Sequence, residues 1–142
     1  MSIREAQAEL RDEFSMFDNW MDRYQYIIDM GRQLPEYPDA DKISAYKIEG
    51  CQSNVWLRST QEAGRLGFRA TSDAAIVSGL IAILMRIYND REPQEILDGE
   101  PEFLAELGLD KHLSPTRSNG LHAMIERIYT IAREARLDQK LH

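Results

Sequence analysis

The sequence predicts an α+β fold, a small antiparallel β-sheet packed against several helices. Two alternating stretches carry the sheet. Val55, Leu57 and Ser59 alternate with Trp56 and Arg58, and Leu66, Phe68 and Ala70 form a second set beyond a turn-like Glu62-Ala63-Gly64. On both sides of this hairpin the apolar residues recur at helical spacing, most densely from Ala74 to Tyr88. No internal repeat, low-complexity tract or linker interrupts the chain, and its 142 residues suit one domain spanning 1–142 with a core of its own.

Ser2 followed by Glu5 is a capping-box pattern that opens a helix over Ile3 to Met16. Asp18-Asn19 supplies a second cap. Trp20, Tyr24, Ile27 and Ile28 then share one face of a helix ending near Gly31, ahead of Leu34-Pro35. Pro35 to Ser44 is rich in Pro, Asp and Tyr and reads as a loop, after which Tyr46-Lys47-Ile48 starts an extended segment. Ser72-Asp73 is placed to cap the helix Ala74 to Tyr88, whose apolar content marks it as the central core helix. Pro93 suits the first turn of a short helix ending near Asp98. Pro101 to Leu107, stopped by Gly108, forms another. The last helix carries Leu121, Met124, Ile125, Ile128 and Ala132 on one side.

Composition excludes several functions. With 17 basic against 24 acidic residues the net charge is −7, which disfavours a phosphate-backbone partner; no nucleic acid is expected. The first residues lack the apolar stretch of a signal peptide, and the run from Ala74 to Tyr88, broken by Ser78, Gly79 and Arg86, is too short to span a bilayer. A cytoplasmic location and no membrane partner are the expectation. A single cysteine excludes an internal disulfide and a cysteine-rich zinc or iron–sulfur site built by this chain alone. His112, His122 and His142 show no metal-type spacing with one another or with Cys51, and Gly50, Gly64, Gly67 and Gly79 form no phosphate-cradling pattern. No cofactor or metal is expected.

The chemistry that remains belongs to Cys51. It lies in Ile48-Glu49-Gly50-Cys51-Gln52-Ser53-Asn54, where Gly50 and Ser53 suit a tight loop at the sheet's end that can present a thiol to another protein. A small buried hydrophobe is the commoner fate of a free cysteine, and no motif here forces reactivity. No Lys, Arg or His stands within three residues of Cys51, so activation of the thiol must come from residues distant in sequence or from a partner.

Three segments, in order, carry a family resemblance. Gly50-Cys51-Gln52-Ser53-Asn54-Val55-Trp56-Leu57 resembles the cysteine loop and following strand of the SufE family of sulfur acceptors. Ser72-Asp73-Ala74-Ala75-Ile76-Val77-Ser78-Gly79-Leu80 resembles the start of that family's central helix, and His112-Leu113-Ser114-Pro115-Thr116-Arg117-Ser118-Asn119-Gly120-Leu121 its third signature segment. Trp20 to Pro35 is similar to its second helix, so the likeness runs from about Trp20 to Ala132. It departs at Tyr46, where many relatives carry Asn.

The resemblance implies an α+β fold related to IscU-type scaffold proteins. It implies a sulfur-transfer partner and activator rather than an enzyme. In this role the chain takes persulfide sulfur from a pyridoxal-phosphate cysteine desulfurase, SufS-like or CsdA-like, onto Cys51 and passes it to a SufBCD-type assembly complex. Gly50, Gln52 and Ser53 match the acceptor loop. Asp73 and Arg117 match positions near the partner-facing end, where a plain helix cap and a surface charge are the other readings. The resemblance further implies that the cysteine tucks into an apolar pocket, with Trp56, Ile48 and Val77 as candidate walls and Gly50 as hinge.

Overall fold

The computed structural model describes residues 1–141, leaving His142 and the expectation attached to it outside the described residues. Ser2 opens the first helix, α1 (Ile3–Phe14), through a complete capping box with Glu5. The helix stops two residues short of the expected Met16, because Ser15 turns back: its Oγ donates to Asp12 O at 2.6 Å. Asn19 accepts from Asp22 N and starts α2 (Trp20–Gly31). The expected loop from Pro35 to Ser44 contains one single-turn 3₁₀ segment, Asp39–Asp41, and a second, Ser44–Tyr46, runs past its end and takes Tyr46 out of the expected extended segment.

The hairpin pairs β1 (Val55–Glu62) with β2 (Arg65–Ser72) across a turn at Ala63 and Gly64, both at positive φ, a geometry that matches the twist of the strands. Val55 and Leu57 face inward from β1, as do Leu66, Phe68 and Ala70 from β2. The extended segment before the hairpin is real but brief: Lys47 bridges Trp56, and Ile48 N donates to Val55 O at 2.9 Å.

The central helix, α3 (Ala75–Tyr88), packs against α1, α2, β2 and the final helix. Its N-cap is Ala74, with no side-chain cap, which corrects the expected role of Asp73; Ser72 Oγ instead accepts from Ala74 N at 3.2 Å. The meeting of α3 with α2 is very close. A methyl built on Gly79 would overlap Ile27 O, and one on Gly31 would lie 2.5 Å from Gly79 N.

Three short helices follow: α4 (Pro93–Asp98), α5 (Phe103–Glu106) and α6 (Leu109–His112). The expected helix Pro101 to Leu107 is thus trimmed, and α6 beyond Gly108 is an addition. The last helix, α7 (Pro115–Leu141), begins with proline at its first position and Ser114 as its cap, accepting from Arg117 N at 3.3 Å. Leu121, Met124, Ile125, Ile128 and Ala132 are all buried on its inner side. Seven helices and one two-stranded antiparallel sheet among the described residues make an α+β fold. No described helix is long and apolar enough to cross a membrane.

Candidate functional site

The loop from Glu49 to Asn54 is closed at its base and Cys51 stands near its tip. The Ile48–Val55 hydrogen bond and the Lys47–Trp56 bridge strap the base, and Arg127 on α7 donates to Lys47 O at 3.1 Å. Gly50 turns the chain at φ +91°, a conformation that residues with a Cβ rarely adopt. On the far side of the loop, Asn54 donates to Asp73 through both its backbone N (3.1 Å) and its Nδ2 (2.9 Å), while Asp73 N returns a bond to Asn54 O at 3.4 Å. Asp73 therefore fastens the cysteine loop to the entrance of α3 rather than capping that helix.

The half-buried thiol points at α7: Sγ lies 3.7 Å from Gly120 O, within reach of a weak S–H donation. Beside it is a cavity of about 360 Å³ enclosed by the cysteine loop, α3 and the first turns of α7. Its floor is apolar and buried, made by Val77, Leu80, Leu121 and Met124. Its rim is polar and more open, with Ser53, Thr116 and Arg117. Burial pushes the Cys51 thiol above the ordinary cysteine range, and the nearby Glu49 carboxylate pushes it further the same way. Among the described residues no charged group acts to lower it, although Arg117 lines the same cavity. The thiol here is kept protonated and weakly nucleophilic.

Residues distant in sequence thus converge. Cys51, Gln52, Ser53 and Arg117 line one cavity, while Gly50 and Asp73 shape and hold the loop without lining it. Of the three candidate walls, only Val77 is one. Ile48 lies buried under the loop's base, paired with Val55. Trp56 faces the other side of β1 from the inward Val55 and Leu57, with Lys42 Nζ 5.9 Å from its ring centre. Sequence reasoning missed Leu80, Leu121 and Met124 as floor residues, and Gly120 as the neighbour of the sulfur. The available signal for Gly120 was a glycine standing inside a helical pattern. Among the described residues no group of three or more His, Cys, Asp or Glu is arranged to hold a metal ion.

The segment from Trp20 and the segment from His112 also touch. The Trp20 ring stacks on His112 with centroids 4.0 Å apart, and Tyr24 Oη donates to His112 O. This contact seats the lead-in to α7 against α2 and so fixes where Arg117 and Gly120 stand.

Comparison with known proteins bears on the family and the fold. Residues 8–132 match the family model of SufE, described as an Fe-S metabolism associated domain. An uncharacterized SufE-like protein of Rhizobium meliloti (strain 1021) is 40% identical over 134 residues, covering 91% of this chain and 95% of its own. The solution structure of a hypothetical protein from Thermus thermophilus superposes with a TM-score of 0.76 at 19% identity, over 93% of this chain and 96% of the other. That likeness concerns the fold.

Proposed function

Because the chain belongs to the SufE family, a family of Fe–S metabolism, we propose that Cys51 is the acceptor for sulfur released by a cysteine desulfurase. The observation that carries this reading is the placement of the chain's one thiol: half-buried, at a loop tip, beside a cavity with an apolar floor. The protein acts as a sulfur-transfer partner rather than as an enzyme. In the transfer, Cys51 Sγ attacks the terminal sulfur of the donor's persulfide. A new Sγ–S bond forms, the donor's S–S bond breaks, and the donor cysteine leaves as a thiolate that takes up the proton Cys51 gives away. No oxidant or reductant is consumed.

With no second cysteine in the chain, the loaded persulfide has no internal thiol with which to collapse into a disulfide. The desulfurase is of SufS or CsdA type, and a SufBCD-type assembly complex is the onward acceptor. A thiol held protonated in the resting state implies that the loop must leave the cavity, or the partner must supply the activating charge, for transfer to proceed. Incubating the protein with desulfurase and cysteine, then weighing it intact, tests the assignment. One added sulfur is expected on the wild type and none on Cys51→Ser. Equal sulfur uptake by the serine variant would sink it.

A further inference from the structure

Gly120 occupies a place where helix energetics favour alanine. It lies buried in the second turn of the 27-residue α7, and a glycine inside a helix weakens it relative to alanine. Packing in the resting protein does not require the glycine. A methyl there would stand 3.5 Å from Cys51 Sγ and 3.9 Å from Cys51 Cβ, which are ordinary contact distances. Those two distances set the methyl nearly at right angles to the Cβ–Sγ bond. A second sulfur bonded to Sγ departs at a similar angle and reaches about 2 Å beyond it. On that side of the sulfur, a methyl and a terminal sulfur exclude each other.

We propose that Gly120 is a positioning residue for the cargo: its bare Cα keeps clear the side of Sγ on which the terminal sulfur of the loaded protein is stowed. Cys51 and Gly120 line the same cavity, whose floor includes Leu121 and Met124 of α7, so a sulfur on that side is set against α7 rather than in open solvent. The inference rests on the acceptor reading and adds to it where the sulfur goes and which residue admits it. Adding a methyl turns the terminal sulfur toward the open rim, where glutathione reaches it. The glutathione thiolate then bonds to the terminal sulfur and the Sγ–S bond breaks. Cys51 leaves as a thiolate and takes the proton glutathione has lost, giving glutathione persulfide.

The experiment loads wild type and Gly120→Ala with desulfurase and cysteine, removes the enzyme, adds glutathione, and follows the sulfur-bearing mass with time. The variant should melt no lower than the wild type, and its unloaded thiol should be alkylated at the wild-type rate. Its terminal sulfur should be lost about tenfold faster, the scale of a modest overpacking penalty. Equal rates of sulfur loss overturn the proposal. So does an equal acceleration of alkylation in the unloaded variant, because the methyl would then act on the thiol and not on the cargo. A wild type that takes up no sulfur defeats the acceptor reading itself, and the wild-type arm alone reveals that outcome.

Discussion

The behaviour of Cys51 follows from two neighbours that act in the same direction. Burial removes the thiolate from water, and Glu49 places a carboxylate near it; both favour the neutral thiol. Alkylation needs the thiolate, so in the folded protein its rate should rise with pH around a midpoint above that of the same chain in denaturant. Glu49→Gln should lower that midpoint while leaving it above the denatured value, since burial is the larger cause. A folded midpoint at or below the denatured one would show that the thiol is activated in the free protein. The loop fastening acts on the same residue. Asp73→Ala removes both carboxylate bonds to Asn54, each a charge-assisted hydrogen bond at an exposed site. Folded Cys51 should then be alkylated several-fold faster, because the loop opens more often. Unchanged protection in this variant would mean that the strapped base alone holds the loop.

At the scale of elements, the site depends on how closely α2 and α3 approach. Gly79 lets the backbone of Ile27 come so near that any side chain must push the helices apart. Gly79→Ala should lower stability by about 1–3 kcal/mol in denaturant unfolding despite alanine's better helix propensity. A stabilised variant would contradict the crossing. The same contrast explains what the sequence made legible. Helices and hairpin followed from periods and caps, each a matter of near neighbours: Ser2 with Glu5, Val55 with Leu57, Pro93 in the first turn of its short helix. Cys51 could be singled out because it is the one cysteine and follows a glycine. Its surroundings could not. Val77, Leu80, Gly120 and Met124 line the cavity beside the sulfur from two helices far along the chain, and periodicity says which face is buried but not what it is buried against. Asp73 misled for a related reason. Next to a helix start it reads as a cap, whereas its partner, Asn54, comes from the other end of the hairpin.

Across the whole molecule, the elements beneath the site are tied together by an ion pair remote from it. Arg86 on α3 grips Glu13 on α1 through two bonds of 2.7 and 2.5 Å, and Tyr26 Oη on α2 donates to the same carboxylate. These contacts, Arg86 first, hold the Glu13 pKa below its ordinary value. A lowered folded pKa means that the unfolded chain takes up the proton first, so stability is lost as pH falls. The contribution is fully present above the unfolded value of 4.5 and disappears as pH drops through the lower folded value. With side chains about a third exposed, at 30% and 33%, solvent screening limits the tie to about 1 kcal/mol. Denaturant unfolding of wild type and Glu13→Gln should therefore differ by about that amount at pH 7 and converge in strong acid. A gap that persists unchanged below the folded pKa would assign the loss to packing of the glutamine rather than to charge. Because α3 also supplies Val77 and Leu80 to the cavity floor, the same variant separates two roles of that helix. If α3 stays in place, Cys51 should be alkylated at the wild-type rate at pH 7 although the protein as a whole is less stable. A faster rate would show that loosening α1 from α3 reaches the cysteine.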